Sequence, residues 1–137
     1  MIHLKLFENF NELYKQLDDD VVANFAGNRD FDTFSDKEVS NIANLFSEDT
    51  LYSHRRGYVF YQGIVDQLTD PIDYIDIIIP GGVSVIIWKF EDDYYILSIG
   101  VRNDRYGAYV YNLCDTYEGL KKCILDKLKN TKDPNED

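Results

Sequence analysis

Residues 27–38, GNRDFDTFSDKE, hold three aspartates and a glutamate among two phenylalanines. Carboxylates this dense can hold a divalent cation, attack a phosphoryl group or present negative charge to a basic surface, and each chemistry demands its own spacing. A calcium loop needs oxygen ligands at positions 1, 3 and 5, glycine at 6 and glutamate at 12. Counting from Asn28 places Asn28, Asp30 and Asp32 correctly but brings Thr33 to position 6 and Val39 to 12. Counting from Asp30 brings Phe34 to position 5 and Asn41 to 12. Both registers fail, so no calcium is expected here.

Asp30-Phe31-Asp32-Thr33 superficially resembles the DxDxT of haloacid-dehalogenase phosphatases, but its second spacer is missing. In that family the first aspartate ends a buried parallel strand, whereas Gly27-Asn28-Arg29 precedes it here. The match is a chance one. Other nucleophiles are equally poorly supported. Cys114 precedes an expected helix N-terminus, a position that can lower a thiol pKa, and His54 is a conceivable base, but a strand-end cysteine is normally packed. Two cysteines and two histidines at no ligand spacing exclude a zinc site. Gly81-Gly82 is a turn, since neither a lysine nor a helix start follows it. No cofactor, metal or catalytic residue is expected.

What remains is charge. The chain carries a net charge of −11. Residues 8–49 hold eleven acidic residues against Lys15, Arg29 and Lys37, a net of −8 in about a third of the chain. A chain this acidic is repelled by nucleic acid and by anionic membranes, and His54-Arg55-Arg56 is too small a basic cluster to reverse that. Successive carboxylates on an extended chain repeat at roughly 3.5 Å per residue, close to the ~3.4 Å of phosphates along a DNA strand. Phe31 and Phe34 between the aspartates could meet arginines by ring-face contact. The competing explanation is a solvated helical face with a well-made cap.

These residues need elements to position them. Alternation of Ile2, Leu4 and Leu6 predicts a strand. Asn9 and Glu12 have the spacing of a capping box for a helix carrying Phe10, Leu13, Tyr14 and Leu17 on one face. Either that helix ends at Asp18-Asp19-Asp20, against its own dipole, or the aspartates begin and cap Val21–Phe25. Ser35 and Glu38 form a capping box, with Phe34 and Val39 as the hydrophobic staple, for a helix carrying Val39, Ile42, Ala43 and Phe46. Tyr58, Tyr61, Ile64, Val65 and Leu68 predict a further helix, with a strand as the alternative. From residue 72 the period becomes that of strands: Tyr74–Ile79, Val83–Phe90, Tyr94–Val101 and Tyr106–Leu113, joined by hairpin-length connectors. Asp115 and Glu118 open a closing helix that turns Leu120, Cys123, Ile124 and Leu128 inward and Lys121, Lys122, Lys127 and Lys129 mostly outward.

The chain's 137 residues, 45% of them hydrophobic, suit one α+β domain over 1–130 with a flexible acidic tail at 131–137. N-terminal helices are expected on one face of a four-stranded antiparallel meander, closed by the C-terminal helix. Eleven tyrosines exceed the needs of such a core and point to some at the surface. Met1 opens a segment without the features of a signal peptide, and residues 77–88 are too short and too broken to span a bilayer. A cytoplasmic protein with reduced thiols is expected.

Together these observations favour a binder over a catalyst: an acidic inhibitor that neutralises a basic, nucleic-acid-processing effector. Toxin immunity is the leading setting and a phage-encoded anti-defence role of the anti-CRISPR, DNA-mimic type the alternative, both by analogy of size and charge. The expected contact residues are Asp18, Asp19, Asp20, Asp30, Phe31 and Asp32, with Glu91, Asp92 and Asp93 as a second patch on a hairpin tip. A small enzyme or ligand-binding domain built on the tyrosine-rich sheet is the rival; it would need His54, Cys114 and a tyrosine within mutual hydrogen-bond reach. In a third option, an adaptor, an exposed aromatic patch would be the contact surface.

Overall fold

The computed structural model describes residues 12–57, 71–101 and 109–128. In chain order these form β1 (Tyr14–Leu17), α1 (Asp19–Gly27), α2 (Asp36–Ala43), β2 (Leu51–Gly57), β3 (Ile72–Ile79), β4 (Val83–Phe90), β5 (Tyr94–Val101), β6 (Val110–Asp115) and α3 (Thr116–Lys127). The α+β class holds, but the sheet has six antiparallel strands and not four, in the order β1-β6-β5-β4-β3-β2. The expected meander is its centre, β3 to β6. Gly81 and Gly82 turn β3 into β4 at φ of 100° and 94°, a backbone region that side chains disfavour. Among the described residues no helix is long and apolar enough to cross a membrane.

The two added strands were not legible as strands. Tyr14 and Leu17 fit a helical face by spacing, yet β1 pairs with β6 from Tyr14↔Cys114 to Leu17↔Tyr111. Their spacing of three sends them to opposite faces of a strand, and Tyr14 joins one core cluster while Leu17 joins the other. An open edge on β6 thus overrides a helical period only a few residues long. At the other edge, β2 pairs with β3 from Leu51↔Ile78 to Gly57↔Ile72. The expected strand at Ile2–Leu6, the cap at Asn9, the helix at Tyr58–Leu68, Lys129 and the tail 131–137 all lie outside the described residues.

The helices pack on both faces, not one. Ile75, Ile77, Val85, Ile87, Tyr95, Leu97 and Cys114 meet α2 and α3 through Val39, Ile42, Leu120, Cys123 and Ile124. Tyr74, Trp88, Phe90, Tyr94, Ile96 and Leu113 meet α1 through Val22, Phe25 and Ala26 on the other side. The central strands therefore read as continuous apolar runs, because both of their faces are buried. Tyr74, Tyr94, Tyr95 and Tyr111 are buried on these faces, while Tyr52 and Tyr109 are exposed. Gly119 of α3 has no room for a Cβ, which would run into the carbonyl oxygen of Leu13.

Helix starts follow local chemistry. The Ser35 hydroxyl accepts the Glu38 N–H at 3.2 Å and the Glu38 carboxylate accepts the Ser35 N–H at 3.1 Å, closing the capping box. That helix stops at Ala43, so Phe46 lies beyond it. Asp18 is the N-cap residue of α1 and Asp19 and Asp20 occupy its first turn. Of the two expectations for these aspartates, the one that has them begin the following helix is observed, although the Asp18 side chain makes no capping hydrogen bond. There the macrodipole favours them, so they carry no local penalty.

Candidate partner-binding surface

The sheet forks. β3 pairs with β4 only from Ile79↔Val83 to Ile75↔Ile87, although β3 stays paired with β2 as far as Ile72. On the edge of β4 that β3 leaves, residues 30–32 take its place. The Asp32 N–H donates to the Lys89 carbonyl at 2.8 Å, and the Glu91 N–H donates to the Asp30 carbonyl at 3.0 Å. Between them Phe31 forms an antiparallel bridge with Phe90, their ring centroids 4.5 Å apart.

Both arms of the fork hold this strap through buried charge. From β3, the Asp73 carboxylate accepts the Phe34 N–H at 3.2 Å, His54 Nε2 lies 3.0 Å from it, and Arg56 Nη1 donates to it at 3.2 Å. From β4, the Lys89 ammonium donates to Glu38 at 2.8 Å and lies 3.9 Å from Asp32. Burial pushes the Glu38 carboxyl up, but the Lys89 ammonium and the Ser35 N–H outweigh it and hold the group below its ordinary value. Burial, then the Glu38 and Asp93 charges, raise the Tyr95 phenol above its ordinary value.

The fork joins two acidic segments. Asp30 and Asp32 on the strap now adjoin Glu91, Asp92 and Asp93 of the β4–β5 turn, and all five side chains are exposed. Arg29 is drawn in underneath, its guanidinium 4.9 Å from the Phe25 ring centroid and 4.8 Å from that of Tyr94, and it donates to Asp92 at 3.3 Å. Asp92 and Asp93 sit at φ of 63° and 60°, a region that glycine enters freely and that asparagine and aspartate enter more readily than other side chains. Phe31 is half-buried with its ring on Phe90, so it serves the strap's anchorage as well as lying beside the aspartates. Asp18, Asp19 and Asp20 are also exposed but form a separate group. It is the Phe25 end of α1 that packs on Phe90 and Tyr94, and Asp19 lies about 9 Å further along the axis at 1.5 Å per residue.

Asp73 and Lys89 are the positioning residues that inspection of the sequence missed, while Glu38 was legible as a cap but not as the partner of Lys89. The available signal was the charge inside two apolar runs, Asp73 and Asp76 in IDYIDIII and Lys89 in VSVIIWKF. A buried charge in a central strand demands a partner, although its partner could not be named from the run alone.

The nucleophile candidates are not brought together. Cys114 is fully buried on β6 and burial, with Cys123 beside it, holds its thiol protonated well above the ordinary value. His54 lies on β2, four strands away, or roughly 19 Å at ~4.8 Å per strand. This pair cannot share a proton. Among the described residues no group of three or more histidine, cysteine or acidic side chains is placed to hold a metal ion. No protein-family model, curated protein or solved structure matches the chain.

Proposed function

We propose that the protein is an acidic, non-enzymatic inhibitor that neutralises a basic, nucleic-acid-processing effector by occupying its substrate site. An immunity protein against a bacterial toxin, acting in the cytoplasm, is the setting that fits best. One observation carries this reading: the forked sheet brings Asp30 and Asp32 against Glu91, Asp92 and Asp93 on an exposed rim. Five carboxylates on a backbone fixed by hydrogen bonds form a preorganised anionic surface. Arg29 meets Asp92 and Lys89 lies near Asp32, so the chain offsets this charge only in part and a cationic partner can take up the remainder. A host-defence nuclease, met by a phage-encoded protein, would present a similar cationic groove.

The test is capture of the effector from the native host on immobilised protein, eluted with a salt step, beside a variant carrying Asp30→Lys, Asp32→Lys, Asp92→Lys and Asp93→Lys. A nuclease or other nucleic-acid-binding effector retained by the native chain, released by salt and lost by the variant supports the proposal. Equal retention by both proteins overturns it.

A further inference from the structure

The acidic rim is one end of the sheet's story; its β2 edge is another. Leu51 and Tyr52, at 66% and 52% exposure, are the most exposed large hydrophobic residues among those described, and both lie on this edge strand. No other described strand pairs with the outer side of Leu51–Gly57. Natural edges are usually blunted by charge, and Arg55 and Arg56 look at first like such a device. Both are already matched within the chain, Arg55 at 3.5 Å from Asp76 and Arg56 at 3.2 Å from Asp73. The edge is therefore close to neutral on a molecule of net charge −11. Two copies can approach there with less repulsion than at the acidic rim.

We infer that β2 is a self-association surface, pairing antiparallel with β2 of a second copy about a two-fold axis through His54. This register engages all seven residues of the strand. It sets Tyr52 opposite Arg56 of the second copy, twice by symmetry, in reach of a ring–guanidinium contact. Ser53 faces Arg55, and Leu51 faces Gly57. A shift by one step in one direction centres the pairing on Ser53 and leaves Arg56 and Gly57 without a counterpart on the strand. A shift the other way sets Arg55 against Arg55. Only the His54-centred register uses the whole strand and keeps the arginines apart. The contact is isologous and self-limiting, and it yields a continuous twelve-stranded sheet.

Strand addition over seven residues covers less than a standard interface, so association on the order of micromolar is expected. Sedimentation equilibrium of the full chain from about 10 μM to about 1 mM brackets that affinity. Salt screens the repulsion between the copies, so dimerisation should strengthen as salt rises. Binding of a basic effector to the acidic rim should weaken with salt instead, so failure of one reading is distinguishable from failure of the other. Tyr52→Lys places a lysine opposite Arg56 at both symmetric positions and should weaken the dimer at least 10-fold. His54→Cys should crosslink copies under mild oxidation by diamide, while Ser53→Cys should not. A monomer throughout the range at high salt overturns the inference. So does a dimer that Tyr52→Lys leaves intact, or one that crosslinks at Ser53→Cys and not at His54→Cys.

Discussion

The Glu91 amide donates to the Asp30 carbonyl at 3.0 Å, and with the Asp32–Lys89 hydrogen bond it ties the acidic strap and the acidic turn into a single rim. The backbone holds the rim, but Asp32 also meets Lys89 and the Thr33 N–H and Asp92 meets Arg29. Charge reversal there therefore costs some stability, and thermal denaturation of each variant separates that loss from lost binding. Reversing Asp30, Asp32, Asp92 and Asp93 to lysine should weaken effector binding at least 100-fold, about 2.7 kcal/mol. Reversing Asp18, Asp19 and Asp20 should have the smaller effect, because they lie apart from the rim. Titration calorimetry at physiological salt measures both.

Asp93→Gly should separate stability from binding. Glycine takes the left-handed φ of 60° that an aspartate adopts at a cost of roughly 1 kcal/mol, and the substitution also removes a carboxylate from a crowded turn. Thermal denaturation should show a rise in Tm, while effector affinity falls.

Asp73 is the linchpin of the fork. Asp73→Ala leaves the Phe34 N–H unpaired and removes the carboxylate from beside His54 and Arg56. A loss of roughly 2–4 kcal/mol is expected in urea unfolding. The strap should loosen ahead of the core, so native-state hydrogen exchange at Phe34 and Asp32 should accelerate more than at Ile87 or Leu97.

The Glu38–Lys89 pair predicts an acid limb. The folded Glu38 pKa is lowered, so its contribution to stability is fully present above the ordinary glutamate value of 4.5 and is lost as pH falls below it. Glu38 is half-buried, which moderates the size of the effect. Replacing Glu38 with Gln should flatten the fall in Tm below pH 4.5, while Asp36→Asn on the exposed first turn should not.

Asn112 is fully buried on β6, and among the described residues neither its amide nitrogen nor its amide oxygen has a hydrogen-bond partner. Asn112→Leu exchanges an unpaired amide for an apolar side chain beside Leu97, and should stabilise the chain by roughly 1–3 kcal/mol. A Tm that falls instead would show that the amide has a polar partner, for which Gln16 opposite it on β1 is the nearest candidate in the strand register.

Much was legible from local chemistry. The capping box at Ser35 and Glu38 closes as expected because it requires residues only three apart. The runs from Ile72 to Val101 declare strands by β-branched composition, and glycines mark the turn between the first two. Composition and charge were legible too, since they depend on no fold. The acidic stretch at 30–32 and the acidic turn at 91–93 could each be picked out as a patch.

Their juxtaposition could not. It depends on β3 leaving β4 after Ile75↔Ile87 and on residues 30–32 filling the vacated edge. That choice is made by long-range backbone pairing and by Asp73 and Lys89 reaching the strap from two different strands. The same applies to β1, where Tyr14 and Leu17 satisfy a helical spacing and are nevertheless claimed by the open edge of β6. Short segments carry weak intrinsic preferences, and a free sheet edge offers hydrogen bonds and burial on both faces that outweigh them. Residue types and local spacing settle the charge, the strands of the central meander and the Ser35 cap, whereas Asp18 and Asp115 take N-cap positions without a side-chain cap hydrogen bond. Tertiary structure alone decided the edge strands, the fork and the rim, because each depends on hydrogen bonds between segments whose meeting no local pattern records.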